Sequence, residues 1–203
     1  MDVSLASSPV LAPFVRFLSA PDAPRGVVAS EPAAALAVGM LGTGLFAGAL
    51  GWALDAGLTD GGGGSPLSVV PAFLVGVPLA QVLCFPPLLL WSTLRGQSVP
   101  PLRLAAVATA GPGALGLWLG ATAPIFLLYG LTGAAPEGID RHLPLIAIGL
   151  LAVATTMVGV WVGALNALRA GRALRMEAPG GLGRLLHYVT VLWTTAILVY
   201  RLS

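Results

Sequence analysis

Hydrophobic positions in this chain fall into five long runs, 32–54, 61–94, 104–136, 142–168 and 185–200, none of which contains an Asp, Glu, Lys or Arg. A hydrocarbon core about 30 Å thick takes about 20 residues of helix, and a charged side chain at its centre costs about 2.5–3.5 kcal/mol on insertion scales. Charge-free runs of this length, separated by charged loops, are what five membrane crossings require. They predict helices at Ala33–Leu54, Leu67–Leu94, Leu104–Gly133, Leu143–Leu168 and Leu185–Tyr200, and hence an all-α polytopic membrane protein, a bundle of five transmembrane helices. The fifth run is the shortest, about 24 Å of helix. It crosses if Arg184 and Arg201 snorkel outward and Tyr188 and Tyr200 sit at the interfaces.

Ahead of the first crossing, Val10, Leu11, Phe14, Val15 and Leu18 fall on one side of a helical projection with Arg16 opposite, which suits a short interfacial helix in a cytoplasmic N-terminal segment, residues 1–32; with Pro21, Pro24 and Pro32 following, a disordered arm is the alternative. Residues 33–203 then form the five-helix domain. A secretory signal peptide does not fit, because Asp2 stands where a positive n-region would be. The loop from Asp60 to Pro66 holds four consecutive glycines and reads as a flexible outer connection; the Lys and Ser/Thr of a phosphate loop are missing.

Charge adds direction. Arg16, Arg25, Arg95, Arg103, Arg169, Arg172, Arg175 and Arg184 all fall on one side of a five-pass threading, leaving Arg141 and Arg201 with Asp55, Asp60, Glu137 and Asp140 on the other. Short loops rich in arginine stay cytoplasmic, so the N-terminus is expected inside and the C-terminus outside. With 57% hydrophobic and only 9% charged residues, the chain has too little polar surface for a soluble domain beside the bundle. Every basic residue is arginine, as a GC-rich bacterial genome produces, and the expected location is the bacterial inner membrane.

Three helices carry glycines four apart, Gly44 and Gly48, Gly116 and Gly120, and Gly159 and Gly163, the last within a stripe running from Thr155 to Ala167. Lipid tails give helices no hydrophobic reason to associate, so small residues that let backbones approach are a main source of cohesion. Intramolecular packing is the plain use of these faces; docking of a partner or a second copy is the other. The second helix holds Pro71, Pro78, Pro86 and Pro87, and the third Pro112 and Pro124. Each mid-helix proline removes a donor and crowds the carbonyl four residues back, so both helices are expected to bend or break, with Gln81, Thr93, Thr109 and Thr122 available for the freed carbonyls.

Reaction chemistry is missing from the pattern. No predicted span holds Asp, Glu, Lys or Arg, which counts against ion-coupled transport. His142 and His187 fall on opposite sides of the threading, Cys84 is a lone core thiol, and no nucleophile elbow or helical His–Glu metal motif occurs, so neither an enzyme nor a cofactor is expected. The strongest charge feature is the inner-face basic patch of Arg169, Arg172, Arg175 and Arg184, suited to orientation, anionic lipid or an acidic partner.

The layout, together with the approach Ala20-Pro21-Asp22-Ala23-Pro24-Arg25-Gly26, Glu31-Pro32, the segment Leu83-Cys84-Phe85-Pro86-Pro87-Leu88 and the segment Ala121-Thr122-Ala123-Pro124-Ile125-Phe126, resembles bacterial members of the Yip1-type five-helix membrane family over about residues 14–202. The resemblance implies a non-catalytic membrane protein. Eukaryotic members of that family are associated with vesicle trafficking and small GTPases, and no binding residue carries over from them.

Two functions follow as expectations. One is a membrane scaffold, assembly factor or accessory subunit acting through helix faces and inner arginines. The other is a small permease or channel component for a neutral or lipid-like solute, built on the proline-bearing second and third helices. The expected partners are the bilayer and either other membrane proteins or a second copy, with no nucleic acid. A dry, close-packed centre would favour the first function, and a cavity flanked by Gln81 and the threonines the second.

Overall fold

The computed structural model describes residues 32–58, 69–94, 100–132, 142–173 and 181–202. Apart from Pro100 these residues are all helical, in five elements: α1 (Pro32–Leu58), α2 (Val69–Leu94), α3 (Pro101–Thr132), α4 (His142–Ala173) and α5 (Gly181–Leu202). The expected interfacial helix at residues 10–18 and the glycine loop lie outside the described residues.

The observed helices overrun the apolar runs that announced them. α1 continues through Asp55 to Leu58, α4 through Arg169 and Arg172 to Ala173, and α5 begins at Gly181, four residues before Leu185. A charged residue ends the part of a helix that hydrocarbon tolerates, but it does not end the backbone ladder. The extension matters most for α5, whose 22 residues span about 33 Å, enough for the hydrocarbon core. Four helices contain long apolar stretches able to cross a membrane, Val70–Leu94, Leu104–Gly130, Ile146–Ala170 and Leu182–Leu202; in α1, a helix of 27 residues, the described apolar stretch is Gly39–Leu54.

Burial is inverted relative to a water-soluble bundle. The interior is built largely of small residues, among them Ala49, Ala53, Ala80, Ala106, Ala114 and Ala170, while Leu45, Val82, Leu150, Met157, Trp161 and Trp193 point outward. Contiguous exposed apolar surface on this scale would aggregate in water and is solvated by lipid tails, so the chain is a multi-pass membrane protein in contact with lipid.

The helices close a ring in the order α1–α3–α4–α5–α2 and back to α1, in which α1 and α3 share the most extensive contact and α4 and α5 the sparsest. Glycine explains the tight α1–α3 seam. A Cβ on Gly42 would collide with the Gly116 carbonyl, one on Gly116 with the Gly39 backbone, and one on Gly120 would lie 2.8 Å from the Gly42 Cα. Beyond that crossing, Phe46 and Phe126 meet edge to face with centroids 5.2 Å apart, among Ala49, Ala53, Leu119 and Ala123.

Of the expected bend or break, the break does not occur: both proline-bearing helices run uninterrupted through Pro78, Pro86 and Pro87 and through Pro112 and Pro124. Nor do the expected hydroxyls reach the freed carbonyls. Thr93 donates to Leu90 O, Thr109 to Ala105 O and Thr122 to Leu119 O, each within its own helix three or four residues back, where a threonine rotamer reaches without backbone change. Gln81 is buried and its Nε2 has no hydrogen-bond partner.

Candidate functional site

The small-residue faces seat different neighbours from those their spacing alone suggests. On α1 the glycines that meet backbone are Gly39 and Gly42; Gly44 and Gly48 instead receive side chains of α2, Leu74 and Val70, at 3.2 Å from an added Cβ. Gly116 and Gly120 do face α1. The α4 stripe is occupied within the chain along its length: Thr155 O accepts the indole N–H of Trp118 at 3.1 Å, Gly159 abuts Leu115 and Trp118, and Gly163 abuts the Tyr188 ring and the Gly111 carbonyl.

Tyr188 is the residue that sequence reasoning misplaced. Read as an interface residue, it is 2% exposed, wedged between Gly111 of α3 and Gly163 of α4, and its hydroxyl donates to Val160 O at 3.2 Å. A tyrosine ring fits there because two glycines on different helices leave room for it. The only sequence signal was a glycine at each of those positions, without any indication that they face one another. Arg184, one helical turn earlier, shares that face and is also buried, so it does not extend outward with the exposed Arg169 as the expected basic patch required. The Arg172 side chain and Arg175 lie outside the described residues.

One turn beyond Tyr188 the ring opens into a cavity of about 540 Å³, walled by all five helices: Thr43 of α1, Phe73 and Val77 of α2, Pro112, Leu115 and Leu119 of α3, Thr156 and Val160 of α4, and Val191, Leu192, Thr195, Ala196, Val199 and Tyr200 of α5. Its volume is that of a small-molecule site, about 300–1,000 Å³. Tyr188, packed between α3 and α4 one turn nearer the Gly181 end of α5, is not part of this wall. On the flank, Thr156, Ala196 and the 81% exposed Tyr200 belong to the outer surface as well as the wall, so the cavity opens between α4 and α5, where the ring is thinnest. Pro112 is the one expected kink residue in this wall; Pro78 is half-buried elsewhere on α2, and Pro86, Pro87 and Pro124 are exposed. Gln81 is not in the wall.

Among the described residues no Asp, Glu, Lys, Arg or His lines this space. Its polar side-chain groups are the hydroxyls of Thr43, Thr156, Thr195 and Tyr200, and the three threonines are committed: Thr43 donates to Gly39 O at 2.6 Å, Thr156 to Ala152 O at 2.8 Å and Thr195 to Val191 O at 2.8 Å. Such a wall solvates an apolar body and offers nothing to balance a charge.

A second, shallower space of about 430 Å³ lies between α2 and α5, lined by Cys84, Pro87, Trp91, His187, Thr190 and Thr194 among apolar neighbours. Cys84 is buried there, its Sγ 3.6 Å from Thr194 Oγ1, and the buried Nε2 of His187 has no hydrogen-bond partner. Among the described residues no three metal-ligating side chains come together. Comparison of the chain with protein-family models, with curated proteins and with solved structures gives no match.

Proposed function

We propose that this chain is a non-catalytic membrane protein that holds an uncharged, lipid-like solute inside its helix ring, as a small permease or channel component does. The observation that carries the reading is the cavity of about 540 Å³ with five helical walls, hydroxyls as its only polar side-chain groups and a lateral opening toward lipid. A charged solute would leave water for a wall without a counter-charge, at a cost of several kcal/mol, whereas an apolar one is desolvated favourably. The alternative of a scaffold built on an exposed arginine face has less to rest on, since Arg184 is buried and the α4 stripe is filled by Trp118 and Tyr188.

The sidedness that accompanies this reading is an inside N-terminus, an outside C-terminus and a bacterial inner membrane, supported by the distribution of arginines in the sequence. Tyr188 then lies in the cytoplasmic half of the ring and the cavity in the outer half. Kinship with Yip1-type proteins is likewise a proposal, supported by the five-helix all-α layout.

Extraction of lipids from the purified protein, compared with Ala196→Trp, tests the function. The indole would fill the cavity from its open flank. A neutral lipid retained by the native protein and lost from the variant is the expected result; an identical lipid profile in the two proteins would refute the reading.

A further inference from the structure

The hydroxyls of Thr43, Thr156 and Thr195 each spend their only proton on a carbonyl four residues back in their own helices. A carbonyl oxygen only accepts, so the threonine must be the donor in each of these bonds. What these three side chains keep for a ligand is oxygen lone pairs; the fourth hydroxyl of the wall, that of Tyr200, lies at its exposed outer edge. The three come from three different helices, α1, α4 and α5.

We infer that the preferred ligand is a neutral lipid alcohol, an apolar body whose hydroxyl donates a hydrogen bond to the threonine oxygens lining the cavity. This rests on the proposed function and specifies its substrate class. A ligand carrying only an ether or ester oxygen finds no free donor on these residues, because a threonine that turned to meet it would abandon its backbone carbonyl. An ammonium lipid would bring a donor together with a charge that the wall cannot balance, and a carboxylate brings a charge without a donor. Length and branching of the apolar part are set by the Leu115, Leu119, Val160 and Leu192 surface, which is shape-tolerant.

The test reconstitutes the full chain in phosphatidylcholine nanodiscs with equal amounts of hexadecan-1-ol, its methyl ether and hexadecane, and measures by mass spectrometry how much of each stays with the protein relative to empty discs. One neutral hydrogen bond corresponds to about 3- to 10-fold, so the alcohol should be enriched over the ether by that factor. In the combined variant Thr43→Val, Thr156→Val and Thr195→Val the ratio should fall to about one while total retention persists. Equal retention of the three compounds by the native protein overturns the alcohol inference and leaves the cavity reading standing. Retention no greater than in Ala196→Trp overturns both. The native comparison does not depend on the triple variant folding.

Discussion

The clearest test of the ring geometry is a single methyl group placed at two glycines. Gly→Ala inside a helix gains about 0.5–1 kcal/mol from backbone entropy when the space is open. Around Gly149 on α4 nothing lies within 4 Å of an added Cβ, so Gly149→Ala should realise that gain and raise the melting temperature by about 1–4 °C. At Gly42 the same methyl would run into the Gly116 carbonyl of α3, with Leu117 N at 3.3 Å. These are backbone atoms of a helix locked on its other side by Trp118, so they cannot rotate away. Overpacking of this kind costs about 1–3 kcal/mol or more, which exceeds the propensity gain and should lower the midpoint by about 2–10 °C. Gly44→Ala belongs between the two, because the nearest atoms its Cβ would meet are side-chain atoms, first the movable Cδ2 of Leu74 at 3.2 Å. Thermal unfolding in detergent, followed by tryptophan fluorescence, ranks the three. If Gly42→Ala proved as stable as Gly149→Ala, α1 and α3 would not be in backbone contact and the ring order would be wrong.

Tyr188 should behave as two separable interactions. Tyr188→Phe removes a 3.2 Å hydrogen bond to a carbonyl that keeps its helical partner, so it should cost no more than about 1 kcal/mol. Tyr188→Ala empties the space between Gly111 and Gly163 and should cost about 3–5 kcal/mol, read in the same unfolding assay; a difference between the two variants below about 1 kcal/mol would show that the ring is not wedged. Sidedness is checked by single cysteines in a Cys84→Ala background: Ser65→Cys should react with an impermeant maleimide added to intact cells, and Ser98→Cys should react only after permeabilisation. The opposite pattern would reverse the proposed orientation.

Much of the architecture was legible because contact with lipid is recorded residue by residue. A stretch without charge states its own environment, which is why the centres of all five helices lie where the apolar runs placed them. Their ends were less legible, as Asp55, Arg169 and Arg172 show, since a helix can continue into the headgroup region after its apolar run has ended. The prolines illustrate the opposite limit: Pro78 and Pro112 are plain in the sequence, but whether a helix breaks or continues depends on what supports the ladder around them.

The sequence by itself therefore determined the solvent of this protein, the five long helices of the described residues and the absence of Asp, Glu, Lys and Arg from the apolar runs that announced them. Which glycines meet, where Tyr188 goes and that three threonines line one cavity were decided only by the tertiary structure. Gly39 with Gly42 and Gly44 with Gly48 offer nearly the same spacing on neighbouring faces of one helix, and α3 takes the first pair while α2 fills the second. A small residue permits close approach without naming its neighbour; the choice lies in the shape of the facing helix, which no local pattern contains.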